Sequence, residues 1–166
     1  PVMFGYAAAK VIESFYQFNI SAKDKIIAHF HEWMTGSGIL YLKKAVPQVG
    51  TLFTTHATAI ARSIAANGMP LYKDMENFNA DTIAHNFNIV SKQSLEKLSA
   101  INADSFTTVS EITAKECEHF LDKKVDLVTP NGFEDSFIPK NEIFHKKRKE
   151  ARNKLINVAE AILNQK

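Results

Sequence analysis

Short apolar or β-branched runs alternate along the chain with longer stretches in which apolar residues recur at helical spacing. The short runs predict strands at residues 25–30, 49–55, 105–109 and 125–129, and the first three are typical of strands covered on both faces. The longer stretches predict helices at residues 3–18, 37–45, 58–66, 89–101, 112–121 and 141–164. This alternation is typical of an α/β fold in which right-handed helical crossovers join the strands of a parallel sheet.

Local signals support several of these boundaries. Asn67-Gly68 followed by Pro70 predicts a helix end, because glycine tolerates a left-handed cap and proline cannot continue the helix. Ser110 is a suitable N-cap for the next helix, with the carboxylate of Glu111 near its positive end. Pro130-Asn131-Gly132 predicts a turn after the last strand.

Composition indicates a globular protein of one domain: 166 residues, of which 45% are hydrophobic and 23% charged. No apolar run is long enough to span a bilayer, and the first residues lack the basic region of a signal peptide. The chain begins with Pro1 rather than Met, which suggests an internal piece of a longer protein. The single cysteine, Cys117, is expected to be semi-buried and unreactive, and it fits a reducing, cytoplasmic setting.

The net charge of +2 is too small to require a nucleic acid or an anionic membrane as partner. The sharpest charge feature is the basic run at residues 145–149. It lies in a helical pattern and has no aromatic residues among its charges, so we interpret it as the solvated side of an amphipathic helix. The apolar stripe of that helix comprises Phe144, Ala151, Leu155, Val158 and Ile162.

Polar and titratable residues follow the predicted strands, where ligands bind in open parallel sheets. Glu32, His56 and Asn131 are therefore expected at one edge of the sheet, facing one concavity. His29 and His31 are two residues apart on a strand, so they share a face. With Glu32 they could suggest a metal site, but buried, hydrogen-bonded histidines are favoured because a third ligand at a convincing spacing is lacking. Trp33 could stack on a sugar ring or anchor its loop.

Five segments carry a family resemblance, in the family's order and at about its spacing. They are AHFHEW at residues 28–33, FTTHAT at 53–58, ENFNAD at 76–81, FTTVSEITA at 106–114 and VTPNG at 128–132. Together they resemble the glycogen synthase family, specifically its eukaryotic-type branch, glycosyltransferase family 3. The resemblance covers most of the chain.

The resemblance implies a GT-B architecture, with the active site between two Rossmann-like domains. The chain would be the latter part of the N-terminal, acceptor-side domain, without the upstream glycine-rich segment and the C-terminal donor-binding domain. The implied reaction transfers glucose from UDP-glucose or ADP-glucose to the 4-hydroxyl at a glucan end, with retention of configuration and no metal or other cofactor. His56 matches the family's donor-contacting histidine and Arg62 an arginine near the donor site, while Glu32 and Asn131 match cleft-lining positions.

Two other functions remain open at this point. The first is another GT-B sugar transferase with a different acceptor, and the second is a noncatalytic glucan-binding protein. The partners implied by the resemblance are a nucleotide sugar and an α-glucan acceptor, with a homo-oligomer expected for the intact enzyme. Neither nucleic acid nor membrane is expected as a partner.

Overall fold

The computed structural model describes residues 1–21 and 23–163 and divides into two compact units, residues 1–130 and 131–166. The first unit contains a sheet of four strands and six α-helices. Its strands are β1 (Ile27–His31), β2 (Gly50–Thr55), β3 (Ser105–Thr108) and β4 (Leu127–Val128). Its helices are α1 (Val2–Asn19), α2 (Ser37–Ala45), α3 (Ala59–Ala66), α4 (Ala80–Asn86), α5 (Val90–Asn102) and α6 (Glu111–Leu121).

All strand pairs in the sheet are parallel, and the strand order β1-β2-β3-β4 follows the order of the chain. Helices lie between successive strands, so the predicted α/β fold with a parallel sheet is confirmed. The register places His31 beside Thr54, Thr54 beside Thr107, and Thr108 beside Val128. The carboxyl ends of the strands therefore form one edge.

Two apolar clusters fill the first unit. The larger joins the sheet to α1, α2, α5 and α6, and the rings of Phe53 and Phe106 stack at its centre with centroids 5.6 Å apart. The smaller joins α3, α4 and α6 around Ile60, Ile64 and Phe120. The sheet edge that carries the polar residues thus rests on packed apolar elements, which restrict its movement.

The second unit is dominated by α7 (Asn141–Leu163), which is preceded by a single 3-10 turn at Asp135–Phe137. The helix was predicted at residues 141–164, and residue 164 lies outside the described residues. The basic run at residues 145–149 lies on α7 with exposed side chains. Among the described helices, α7 included, none is both long and apolar enough to cross a membrane.

Several predictions from the pattern were wrong in detail. β1 alternates exposed and buried residues instead of being covered on both faces, because the apolar cluster covers only the face that carries Ala28 and Phe30. β4 has two residues rather than five, since it pairs only with the short strand β3. The sequence did not predict α4, whose N-cap Asn79 accepts a hydrogen bond from the Thr82 N–H at 2.9 Å. Cys117 is fully buried rather than semi-buried.

Candidate functional site

The candidate site lies at the carboxyl edge of the sheet, where β1 and β2 end next to each other. Glu32 follows β1 directly, and His56 follows β2 directly. The backbone N–H of Glu32 donates to the Thr54 carbonyl at 2.9 Å, which extends the pairing of the strands by one residue. This contact fixes the position of Glu32 relative to the turn that carries His56.

Glu32 adopts an uncommon backbone conformation, with φ at 64° and ψ at 158°. A non-glycine residue in this region is strained and needs surrounding contacts to hold it. The Glu32 carbonyl accepts a hydrogen bond from the Thr35 N–H at 3.1 Å, and the Thr35 hydroxyl donates to the neighbouring His31 carbonyl at 2.7 Å. These bonds hold Glu32 in its strained conformation. Because Glu32 lies at the end of β1, the strain is located at the candidate site.

The Glu32 side chain reaches across to the next strand end. Its Oε1 accepts a hydrogen bond from the His56 N–H at 2.9 Å and lies 3.4 Å from Nη2 of Arg62. The Glu32 side chain is only 17% exposed, whereas that of Arg62 is 57% exposed. One carboxylate oxygen thus links the turn after β2 to the guanidinium group on α3.

Arg62 lies one turn into α3 and folds back toward the strand end. Its Nε is 3.4 Å from the Ala57 carbonyl oxygen, in addition to its contact with Glu32. An arginine six residues beyond His56 can therefore reach the carboxyl edge of the sheet. This partly exposed ion pair adds little stability, but it places a cation next to the carboxylate that binds the His56 N–H.

His56 is half-buried, and its ring lies against a row of histidines. Nε2 of His56 is 3.4 Å from Nδ1 of His31, whose ring centroid lies 4.1 Å from that of His29. His29 and His31 share a face, as their spacing predicted, but neither is fully buried. Nε2 of His29 lies 2.7 Å from the Thr54 hydroxyl, and partial burial lowers the pKa of His29, with a smaller contribution from nearby His31.

Two carboxylates that the sequence analysis did not identify lie beneath the same turn. Glu96 on α5 accepts hydrogen bonds from the Ala59 N–H at 2.7 Å and the Thr55 hydroxyl at 2.8 Å. Glu116 on α6 lies 3.3 Å from the Thr58 N–H and accepts a hydrogen bond from the Tyr72 hydroxyl at 2.8 Å.

A signal for these carboxylates exists in the sequence. Glu96 lies one helical turn from buried Gln93 and Ala100, and Glu116 lies one turn from buried Phe120. A carboxylate on the core-facing stripe of a helix needs internal hydrogen-bond donors, because an unpaired buried charge is unfavourable. That rule would have singled out both residues.

The first turn of α3 is thus held from several directions. Thr58 caps the helix by accepting a hydrogen bond from the Ala61 N–H at 3.1 Å. Burial raises the pKa of Glu96 to about 7, since it disfavours the charged carboxylate more than the hydrogen bonds favour it. Burial also raises the pKa of Glu116. The turn between β2 and α3 is therefore fixed mainly by carboxylates that accept backbone N–H groups.

The remaining predicted site residues are placed as follows. Asn131 is exposed and is the first residue of the second unit, after Pro130. Trp33 is half-buried in a 3-10 turn, with Nζ of Lys92 5.5 Å from its ring centroid. Among the described residues, no group of three or more His, Cys, Asp or Glu side chains could hold a metal ion.

The arrangement defines a Rossmann-like α/β domain with a half-exposed histidine at the carboxyl edge of its sheet. The His56 ring can hydrogen-bond to a hydroxyl group, while the turn that carries it is fixed by its backbone. Arg62 supplies a nearby positive charge. Such a site suits the recognition of a polar ligand such as a sugar.

Comparison with known proteins identifies the family. The family model for glycogen synthase matches residues 1–158. A glycogen [starch] synthase of Dictyostelium discoideum is 42% identical over 158 residues, covering 93% of this chain and 18% of that protein. A glycogen [starch] synthase of Caenorhabditis elegans is 39% identical over 131 residues, covering 79% of this chain and 20% of that protein. The chain belongs to the glycogen synthase family, and it spans about a fifth of the length of these two relatives.

Proposed function

We propose that a synthase containing this chain transfers glucose from a nucleotide sugar to the 4-hydroxyl at an α-1,4-glucan end, with retention of configuration. Family membership over residues 1–158, together with His56 fixed at the carboxyl edge of a parallel sheet, carries the proposal. The chain would form the latter part of the N-terminal domain of a GT-B enzyme. Its ligands would be the nucleotide sugar and the glucan.

In this proposal His56 holds the donor's glucosyl unit through a hydrogen bond from its half-exposed ring. The sugar gains oxocarbenium-like positive charge as its bond to the diphosphate breaks. A ring on a rigid turn fixes the sugar during this step, so that little orientation has to be gained in the transition state. Glu32 supports the turn through the His56 N–H, and Arg62 brings a cation to the same edge. Asn131 is proposed as a further substrate-binding residue because it follows β4.

The departing diphosphate also needs compensation of its charge. The family resemblance assigns the cationic side chains for this task to a second domain. We therefore expect the 166-residue chain alone to transfer no glucose, because losing even one such electrostatic contact reduces the rate ~100-fold or more. Loss of domain closure would further admit water to the site.

The test is incorporation of radiolabelled glucose into glycogen from UDP-glucose and, separately, from ADP-glucose. It compares the isolated chain, the intact synthase, and the intact His56→Ala and His85→Ala variants. His85 is an exposed histidine on α4 and serves as the matched control. We expect His56→Ala to lower turnover ~100-fold with glucan binding nearly unchanged, since the lost contact acts on the reacting sugar. The His85 variant should match the wild type.

Each other outcome has a distinct meaning. Glucose incorporation by the isolated chain, or a wild-type rate for His56→Ala, would contradict the assignment of roles. Transfer from the same donors to a different acceptor would indicate another GT-B sugar transferase. Glucan binding by the intact protein without any transfer would indicate a noncatalytic glucan-binding protein.

A further inference from the structure

The turn that carries His56 rests on a carboxylate with no role in the proposed reaction. Glu96 belongs to α5, and its side chain is fully buried beneath residues 55–59. Both of its oxygens are engaged by this turn: Oε1 by the Thr55 hydroxyl at 2.8 Å and Oε2 by the Ala59 N–H at 2.7 Å. One side chain thus joins the last residue of β2 to the first residue of α3.

These two bonds bracket His56. Thr55 immediately precedes the histidine and is fully buried, and Ala59 follows three residues later and is also buried. Because both ends of the segment are bonded to one carboxylate, the backbone between them has few ways to move. The orientation of the His56 ring is consequently set by a backbone segment that is bonded to a buried side chain.

We propose that Glu96 is a positioning residue for His56, acting through the turn at residues 55–59 to hold the imidazole where it meets the donor sugar. This inference rests on the proposed glucosyl transfer. Glu96 does not touch the substrate in this account. Its effect is on the orientation of His56, and a misplacement of about 1 Å at such a group can reduce turnover ~100-fold.

The charge state of Glu96 follows from its surroundings. Glu32, at the end of β1, raises its pKa, and Arg62 on α3 lowers it, but both effects are smaller than that of burial. On α6, Glu116 and the thiol of Cys117 face the same buried region. With a pKa of about 7, Glu96 gains or loses its proton near neutral pH.

Protonation changes which bonds the carboxyl group can make. The ionised carboxylate accepts from both donors. A protonated Glu96 keeps one acceptor for the Ala59 N–H and donates to Thr55, whose hydroxyl can then turn to the Ala57 carbonyl 3.3 Å away. Both forms bond to the two ends of the turn, but only the ionised form accepts at both ends, and its charge makes those two hydrogen bonds stronger.

The experiment uses the intact synthase with three variants: Glu96→Ala, Glu96→Gln and the control Glu118→Gln. Glu118 is an exposed carboxylate on α6. Hydrogen–deuterium exchange is measured by mass spectrometry for peptides covering residues 55–59, and kcat and KM are measured across pH. For Glu96→Ala we expect ~10-fold faster exchange confined to this turn, since two buried bonds are lost, and a kcat ~10-fold lower or more with little change in KM for glucan.

Glu96→Gln decides the matter if the alanine variant does not fold, because the amide nearly preserves shape but cannot ionise. We expect the ratio of wild-type to variant kcat to rise ~3-fold or more between about pH 6 and about pH 8, as the wild-type carboxylate ionises. Wild-type exchange at residues 55–59 together with a wild-type kcat at every pH in Glu96→Gln would overturn the proposal. Wild-type exchange in this turn of a folded Glu96→Ala protein would overturn it too, as would equal acceleration throughout the chain.

The exchange measurement also separates this inference from the proposed function. If the wild-type synthase transfers no glucose, the proposed function is wrong. Whether Glu96 positions the turn is then determined only from the hydrogen–deuterium exchange of residues 55–59 in the Glu96 variants. If the wild type transfers glucose and the Glu96 variants match it in exchange and pH profile, the positioning role is wrong while the proposed function stands.

Discussion

Replacing Glu96 by glutamine should make the fold more stable at alkaline pH. Burial raises the pKa of this carboxyl group from 4.5 to about 7, so the folded state favours the protonated form. Each tenfold change in a protonation equilibrium corresponds to about 1.4 kcal/mol, which makes the penalty for the ionised group about 3 kcal/mol. Glutamine carries no charge and escapes this penalty, while it still offers an oxygen to the Ala59 N–H.

The raised pKa of Glu96 determines the sign of the stability difference between the two proteins and the pH range in which it develops. Below the unfolded pKa of 4.5 the carboxyl group is protonated in both states, so the wild-type protein and Glu96→Gln should differ little in stability. As pH rises toward 7 the unfolded chain ionises first, and the wild-type protein loses stability relative to Glu96→Gln. Above about pH 7 the difference should level off, near about 3 kcal/mol in favour of the variant.

The assay is equilibrium unfolding in urea of the wild-type chain and of Glu96→Gln at a series of pH values, with Glu118→Gln as the control. Only the difference between proteins is used, since other titrating groups affect all of them alike. In thermal unfolding, the same difference would appear as a rise in Tm of roughly 10 °C for a protein of this length. A difference between wild type and variant that stays constant from about pH 5 to about pH 8, or that favours the wild type more strongly at alkaline pH, would refute the reasoning.

Three further predictions concern packing, reactivity and association. Gly38→Ala should lower the free energy of unfolding in urea by about 1–3 kcal/mol, because the new Cβ would meet the Phe30 ring and lie 2.8 Å from the Gly5 carbonyl oxygen. The control is Gly132→Ala, which should change stability little because the space around Gly132 is open. Cys117 should resist a thiol reagent until the chain unfolds, since burial raises its pKa, and rapid labelling of the native chain would contradict this. The isolated chain should self-associate through the open edge of β1, as measured by light scattering. Ile27→Lys, at a residue that is 71% exposed, should weaken the association. A wild-type chain that stays monomeric at all concentrations would contradict this prediction.

The fold was largely predictable because its strongest signals are local. Within the described residues, the alternation of strands and helices located all four strands and six of the seven α-helices. Ser110 was predicted as an N-cap, and its hydroxyl accepts a hydrogen bond from the Thr113 N–H at 3.2 Å. What failed was strand length and coverage, which depend on neighbouring strands and helices rather than on the run itself.

The candidate site was predictable only in its outer part. The rule that ligands bind beyond the carboxyl ends of parallel strands singled out Glu32 and His56, and the structure brings both together with Arg62. The positive φ of Glu32 has no local sequence signal of the usual kind, because such a conformation normally favours glycine. It arises from the hydrogen bonds that the surrounding chain supplies.

The inner part of the site escaped prediction because its partners are distant in sequence. Glu96 and Glu116 bond to a turn some forty to sixty residues earlier, and this pairing exists only once α5 and α6 pack beside α3. The helical pattern around each glutamate does not show which N–H or hydroxyl group it binds. Only their position on the buried stripe distinguishes them from solvated glutamates.

The turn that carries His56 therefore combines a stability penalty with local order. An ionised carboxylate beneath it is unfavourable for folding, since burial opposes the charge of Glu96. The same carboxylate is also an acceptor for both ends of the turn, and a glutamine would give up one of these two acceptor positions. At position 96, glutamine would give the more stable fold, whereas glutamate orders the turn better. Such a trade between stability and local order is typical of functional sites. The opposite pH trends expected for stability and for turnover in Glu96→Gln would then have one physical cause, the ionisation of a single buried carboxyl group.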